Sequence, residues 1–431
     1  MVTPILSFSR GTSRQVPIVA YAFVAALFWG FRVAYWSVTP EEPFSDMKDL
    51  IDIASAFLKT GSLGMGDFWQ AYKMPAVPLM MAMVFAVAGD ANLDAWRIAQ
   101  TTFVFAAAAW LAREIYLRST SHVLALGLLC CVALARSSIF WSLKPATESI
   151  AEGFVYLMPA CALWHARRLN PVSAATLGIV IVVATLARPN FLVLLPVFAL
   201  WLLWLHWPPG KRNSSTKVVL GGFCLGVALT WSPWIARNYA LYGAFVPIST
   251  QGPYTFLWEL GQVKATLPDG TKVETTVQQL QQDAPKNFKN DYEASRYAEA
   301  LIRGWLSENW KLYLRLVIHR GWQQLTDTTE YLTKVPRDRL FADGVEPLLD
   351  KWPPLLILGL FGLAAFAIGR LWAVPIAAVP WFVWPFGALF IGYSRMFEPL
   401  LPLTVFGVVA VTYMAARQLT RMFQTHIERT R

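Results

Sequence analysis

The sequence predicts an all-α polytopic membrane protein with about ten transmembrane helices, and three observations carry that prediction. Of its 431 residues, 56% are hydrophobic and 15% are charged, far from the balance of a soluble domain. Apolar runs such as "VPIVAYAFVAALFWGFRVAYW" and "VVLGGFCLGVALTWSPWIA" approach or reach the roughly 20 residues a helix needs to cross a bilayer. Lipid offers no partner for free backbone groups, so such runs must be helical. Lysines and arginines collect in short segments between the runs, as they do in cytoplasmic loops. Orientation thus accounts for the net charge of +10, and nucleic acid is excluded as a partner.

Each element follows from these rules in chain order. Arg10 and Arg14 place the N-terminus inside, and no small-residue cleavage site follows the first run, which is therefore expected to remain as an anchor. The first span is predicted at 17–37, running outward, with residues 38–94 forming an external loop. Inside that loop "PAVPLMMAMVFAVAG" (75–89) is apolar but only 15 residues long, and counting it as a span would put Arg113 and Arg118 outside. It is expected to be interfacial or re-entrant. Spans follow near 95–112, 121–136, 148–166, 173–188, 189–207 and 217–235. Arg113 with Arg118, Arg167 with Arg168, and Lys211, Arg212 and Lys217 mark the inner turns. Residues 236–350 are expected to be external, polar in "ATLPDGTKVETTVQQLQQDAPKNFKND" and then helical with aromatic and basic residues interleaved. The last spans lie near 352–369, 371–391 and 396–416, with Arg370 and the basic tail from Arg417 to Arg431 inside. The chain thus divides into a membrane module (1–235) whose external loop carries the chemistry, an external, mostly helical segment (236–350), and C-terminal membrane helices with a cytoplasmic tail (351–431).

The positive-inside rule does not explain the charges left outside. Glu41, Glu42, Asp46, Asp49 and Asp52 gather against one lysine in "EEPFSDMKDLIDIASAFLKTG". The three aspartates recur every third residue, so a helix brings them near one face opposite Leu50, Ile53, Ala54 and Phe57. That face is either simply solvated or holds a carboxylate able to act as general base. Lys73 in "AYKMP", Arg188 in "LARPN" and Arg395 in "GYSRMFEPLLP" either snorkel to headgroups or clamp a phosphate, which suits the planar fork of arginine. Tyr72 could add a hydroxyl. Glu148 in "LKPATES" stands at the outer mouth of another span, and with Asp46 could hold a hard divalent cation. The five histidines and four cysteines show no metal-ligand spacing.

In order along roughly 380 residues, these stretches resemble the GT-C superfamily of membrane glycosyltransferases, which includes the dolichyl-phosphate-mannose protein mannosyltransferases and the lipid A aminoarabinose transferase. Asp46, Leu50 and Ala54 match an acidic residue leading a helix after the first span. "AYKMPAVPLMMAMVFAVAG" matches a proline-opened juxtamembrane segment, and Arg97 in "DAWRIAQ" opens the next span. "ATES", "ATLARP", "PWIARNYALYGAFVPIST" and "GYSRMFEPLLPL" follow. The chain departs from the pattern at Leu50, where tyrosine is frequent, at Met396, where an aromatic is frequent, and in "QAYKMP", which lacks the aminoarabinose branch's glutamate. The resemblance implies a GT-C-like fold and transfer of a sugar from a polyprenyl-phosphate donor to a hydroxyl of a lipid, glycan or protein acceptor, with inversion. Asp46 would be the base. Lys73, Arg395, Tyr72 and Arg188 would hold the donor phosphate, with Glu148, Asp49, Arg237 and Asn238 in support and no cofactor beyond that divalent cation. The place implied is the outer, periplasmic face of a bacterial inner membrane. A transporter or flippase using the same charges as a path, and a ligase or polymerase of whole lipid-linked glycans, are the alternatives.

Overall fold

The computed structural model describes residues 18–39, 43, 45–206, 213–326 and 353–430. Expectations resting on Arg10, Arg14, Glu41, Glu42, Lys211, Arg212, Arg431 and residues 327–350 lie outside those residues.

The chain is built almost wholly of helices. In order they are α1 (Ile18–Val38), α2 (Asp46–Thr60), α3 (Ala76–Ala88), α4 (Leu93–Ser119), α5 (His122–Leu134), α6 (Arg136–Leu143), α7 (Thr147–Arg168), α8 (Pro171–Ala187), α9 (Leu194–Leu205) and α10 (Asn213–Tyr242). After these come α11 (Gly252–Trp258), strands β1 (Gln262–Thr266) and β2 (Lys272–Thr276), α12 (Val277–Asn287) and α13 (Asp291–Thr326), then α14 (Pro353–Gly369), α15 (Val374–Ala388) and α16 (Leu401–Thr430). A helix stands at each of the ten predicted spans: α1, α4, α5, α7, α8, α9, α10, α14, α15 and α16.

Apolar helices of this number make the chain a multi-pass membrane protein. Among the described residues, Ile18–Val38, Thr216–Tyr242, Leu371–Ala388 and Glu398–Glu428 are each long and apolar enough to cross a bilayer, and α5 with α6 makes a fifth span if the pair is read through its 53° bend. Helix α3, in the segment expected not to span, has 13 residues and so is about 20 Å long, short of a hydrocarbon core of about 30 Å.

Sequence sets the boundaries locally. Asn92, Ser121 and Asn170 cap α4, α5 and α8 through side-chain oxygens, and Pro171 opens α8, where its missing N–H is not needed. Helix α2 stops at Gly61, whose φ of 74° lies in the left-handed region that glycine occupies without strain. The break between α5 and α6 frees carbonyls in an apolar interior. Arg32 of α1, 1% exposed, supplies the donors, at 3.2 Å to the Val132 carbonyl and 2.5 Å to Ser138 Oγ. A buried charge is tolerated there because its hydrogen bonds are satisfied.

Close helix packing follows from small residues. A Cβ added at Gly226 would overlap the Ala175 carbonyl where α10 meets α8, and one at Gly407 would overlap the Gly359 carbonyl where α16 meets α14. Backbones approach this nearly only where glycine stands on the facing helix.

Among the described residues of the segment 236–350, the stretch expected to be polar holds two strands. Residues 262–276 form an antiparallel hairpin, Val263 facing Thr275. Val263 and Ala265 are buried while their neighbours Gln262 and Lys264 are exposed, the period of two that a half-covered strand requires. The turn is made by "LPDG", with Gly270 at φ 85° and Asp269 Oδ1 accepting from the Thr271 N–H at 2.9 Å. The hairpin, α11, α12 and α13 enclose their own apolar cluster around Tyr254, Leu257, Val263, Leu301 and Trp305, distinct from the core of the membrane helices. Tyr72 is part of that second cluster, and Phe68 and Trp69 pack on it.

Candidate active site

Asp46 is the first residue of α2, so its carboxylate stands at the positive end of a helix dipole. The preceding Ser45 has φ 49° and ψ −127°, a backbone conformation costly for a residue with a Cβ and one that persists only where surrounding structure enforces it. The charges around Asp46 come from four distant stretches. Lys73 Nζ lies 2.6 Å from Asp46 Oδ1 and 3.2 Å from Asp49 Oδ2. Arg395, in a 3-10 turn before α16, places Nη2 3.2 Å from Asp46 Oδ2 and Nε 3.7 Å from Glu148 Oε1. Arg188, at the end of α8, reaches Glu148 at 3.4 Å, the Arg395 carbonyl at 3.3 Å and Met396 Sδ at 2.9 Å.

Asp46, Glu148, Arg188 and Arg395 sit at helix ends, where α2 begins, where α7 begins, where α8 ends and just before α16, and Lys73 lies in the loop that leads into α3. Lys73, Arg188 and Glu148 are buried, whereas the Asp46 side chain is 42% exposed, so a ligand can reach the aspartate. Arg188 Nη1 is buried and has no hydrogen-bond partner among the described residues. Burial alone would raise the Asp46 carboxyl, but the charges and hydrogen bonds of Lys73 and Arg395 outweigh it and hold it down at about 2.

The other residues singled out by sequence take defined places. Asp49 joins the cluster through Lys73, whereas Asp52 is exposed. The Tyr72 hydroxyl accepts from Gln281 Nε2 of α12; its ring lies 5.4 Å from Lys73 Nζ, so it borders the ammonium with a face and not with the hydroxyl. Arg237 donates to the Gln70 carbonyl at 2.9 Å and to Asn238 Oδ1 at 3.0 Å, and Asn238 donates to the Val246 carbonyl at 2.9 Å. These two residues therefore hold the backbone next to Lys73 and do not touch Asp46. Arg97 pairs with Asp94 on its own helix. The carboxylates Asp46 and Glu148, considered as ligands for a divalent cation, are instead bridged by Arg395. With Lys73 and Arg188 also present, positive charge already fills the neighbourhood such an ion would need. No group of three His, Cys, Asp or Glu side chains at metal-binding distance occurs among the described residues.

Sequence reasoning missed the residues that fix the Lys73 segment. Asp291, fully buried at the start of α13, accepts from the Ala71 N–H at 2.9 Å, Tyr242 Oη at 2.7 Å and Thr250 Oγ1 at 2.9 Å. The Thr250 N–H donates to the Ala71 carbonyl at 2.9 Å. Two residues before Lys73, the chain is thus tied to the segment 236–350 through both backbone groups of one residue, Ala71. Glu398, inside the quoted "GYSRMFEPLLP", was also passed over; it is buried and accepts from Trp141 Nε1 of α6.

No family model and no curated protein sequence matches the chain. Solved structures do. The oligosaccharyltransferase of Archaeoglobus fulgidus, in complex with zinc and sulfate, aligns over 93% of this chain and 49% of its own, with 12% identity and a TM-score of 0.54. AglB of the same organism, with an inhibitory peptide and a dolichol-phosphate, aligns over 94% of this chain and 52% of its own, with 11% identity and a TM-score of 0.52. A third structure, of the Archaeoglobus enzyme tethered to an acceptor peptide, gives a TM-score of 0.51 at 11% identity, over 92% and 50%. The chain spans about half the length of these proteins. The likeness is one of fold alone, and it bears out the expected all-α membrane architecture.

Proposed function

We propose that the protein is an inverting glycosyltransferase that moves a sugar from a polyprenyl-phosphate carrier to an acceptor hydroxyl. The observation that supports this best is that Lys73 and Arg395, distant in sequence, both hold the partly exposed carboxylate of Asp46, while Arg188 joins them through Glu148, which Arg395 also faces. In the proposed step the acceptor hydroxyl gives its proton to Asp46 while its oxygen attacks the anomeric carbon from the face opposite the phosphate. The bond from that carbon to the phosphate oxygen breaks, and its electron pair stays on the phosphate. Lys73 and Arg395 oppose that growing charge. Such cations speed the reaction only insofar as they hold the leaving phosphate more tightly than the ground-state diester. The buried Nη1 of Arg188, a donor lacking an acceptor, gains one in a phosphate oxygen.

A lipid carrier fits the surroundings. An apolar groove of about 400 Å³ runs between α3, α4 and α7, lined by Met80, Val84, Trp96, Phe103 and Ile150. Ile150 lies two residues from Glu148, and α3 begins three residues after Lys73, so an isoprenoid chain in this groove would carry its phosphate toward the cations. On this reading ten helices cross the membrane, the charged side is the outer, periplasmic one of a bacterial inner membrane, and the segment 236–350 covers it and helps to choose a lipid, glycan or peptide acceptor.

The test is transfer itself. Purified protein in lipid nanodiscs is incubated with a panel of labelled polyprenyl-phosphate sugars and lipid-linked oligosaccharides, and the label leaving its carrier is followed. Asp46→Asn should lower turnover by at least about 10²-fold, the lower range for a general base, while still binding donor lipid. Arg395→Ala should raise the KM for donor more than that for acceptor. Normal turnover by folded Asp46→Asn protein would remove the base assignment, and flux across sealed vesicles without any transfer would decide for a transporter.

A further inference from the structure

We propose that Asp46 is masked in the donor-free protein and that the donor's phosphate, on binding, is what frees it. This rests on the glycosyltransferase reading above. The observation that carries it is a pattern of sharing: each cation that holds Asp46 also holds a second carboxylate. Lys73 lies 2.6 Å from Asp46 and 3.2 Å from Asp49. Arg395 lies 3.2 Å from Asp46 and 3.7 Å from Glu148, and Glu148 is itself steadied by Arg188 at 3.4 Å. Lys73, Arg395 and Arg188 face Asp46, Asp49 and Glu148, with the buried Glu398 also near Arg188, and in this state Asp46 is used as a counter-ion.

A carboxylate in that use is a poor base, because the two cations stabilise its ionised form and leave it little affinity for a proton. A phosphodiester adds one negative charge. Lys73 and Arg395 can turn to it without swinging into solvent, since Asp49 still holds the Lys73 ammonium and Glu148 still faces Arg395 Nε. Asp46 has no third cation to turn to among the described residues and is left alone, 42% exposed, beside the anomeric carbon. Its carboxyl, held at about 2 in the donor-free state, then regains affinity for the acceptor's proton. By linkage the same coupling runs in reverse, so a protonated Asp46 strengthens donor binding.

The cycle balances. The acceptor oxygen forms its bond to the anomeric carbon, its proton moves to Asp46, and the carbon–oxygen bond to phosphate breaks with the pair on phosphate. The released prenyl phosphate is a monoester carrying one further negative charge. It takes the proton from Asp46 and leaves as the hydrogen phosphate, and Lys73 and Arg395 return to the carboxylate. Donor therefore binds before acceptor, and acceptor alone is never deprotonated.

The experiment follows the Asp46 carboxyl by infrared difference spectroscopy of the full chain in nanodiscs, with Asp46→Asn as the subtraction reference. The probe is a sugar-free prenyl phosphate. Its addition should raise the titration midpoint of Asp46 by about one to three units, a tenfold or larger gain in proton affinity. Asp49→Asn, which leaves Lys73 with Asp46 alone, should shrink that rise and lower turnover at saturating donor with little change in donor KM. If the probe binds and the midpoint stays where it was, masking is overturned while the glycosyltransferase reading stands on its own transfer assay. If neither the probe binds nor any prenyl-phosphate sugar is used, the function itself is wrong and the inference falls with it.

Discussion

Single residues at the candidate site follow from charge accounting. Asp46, Lys73, Glu148, Arg188 and Arg395 are visible in the sequence because they are charged groups in stretches where membrane orientation offers no reason for them. Asp46 and Arg395 meet across 349 positions, a closure that the apolar pattern alone could not show. The depressed Asp46 carboxyl makes a pH prediction. An unfolded aspartate titrates near 3.9 and the folded one at about 2, so the stability it contributes is present above the unfolded value and is lost as pH falls through the folded one. Thermal unfolding of wild type and Asp46→Asn in detergent should therefore differ by a constant amount above about pH 5, and the pH-dependent part of that difference should disappear between about 4 and 2. Asp291 was invisible for the opposite reason: it lies in a polar stretch where an acidic residue needs no explanation, and its partner Ala71 is 220 positions away. Replacing it by alanine leaves three donors without their acceptor, each worth about 1–3 kcal/mol when buried. Asp291→Ala should lose about 3 kcal/mol or more, read as a lower Tm, and should raise donor KM more than acceptor KM because Lys73 loses its footing.

At the scale of elements, length and hydropathy were enough to find the helices, and glycine decided how closely they pack. Gly226 and Gly221 lie in the same helix, α10, but only the first faces a neighbouring backbone; nothing lies within 4 Å of a Cβ placed on Gly221. Gly226→Ala should therefore cost about 1–3 kcal/mol by overpacking against Ala175, whereas Gly221→Ala should be neutral or stabilising by up to about 1 kcal/mol. Paired thermal melts in one detergent would separate the two. The hairpin at 262–276 was missed although its turn was legible: "LPDG" sits between short stretches that alternate polar and apolar residues. What hid it was the long polar composition around it, which reads as loop when no membrane face or periodic run sets a register. The span predicted near 121–136 covers α5 and stops at the bend, and α6 beyond it was not foreseen. The arginine that satisfies the break comes from α1, about 100 residues earlier, and no local signal at the bend announces it.

For the whole molecule, the alternation of basic loops and apolar runs predicts an orientation, and the helix ends at the site agree with it. Asp46, Glu148, Arg188 and Arg395 fall where the predicted topology puts the outer face, Arg167 and Arg370 fall at the C-terminal ends of α7 and α14, and Arg417 lies within α16, well past its start. Single cysteines test this in a background where the four native ones are replaced. Asp269→Cys, at the hairpin turn, should react with a membrane-impermeant maleimide in intact cells, and Thr425→Cys, near the end of α16, should react only after the membrane is opened. Labelling of both in intact cells would contradict the ten-span orientation. The fold class and most of the charged cluster were legible at this scale; the tie between the membrane helices and the segment 236–350 was not, because it runs through backbone groups that no side-chain pattern reports.

That tie limits how the protein can be rebuilt. Ala71, Tyr72 and Gln70 are gripped by Asp291, Thr250, Gln281 and Arg237, so the part expected to select the acceptor also holds the strand of chain that delivers Lys73 to the donor. A chimera that exchanges residues 252–326 for the corresponding stretch of another such protein, in pursuit of a new acceptor, would inherit a functioning donor site only if the graft brings along an acidic residue and an amide donor in the places of Asp291 and Gln281. Under the proposed function, acceptor choice and donor competence would be inherited as one unit.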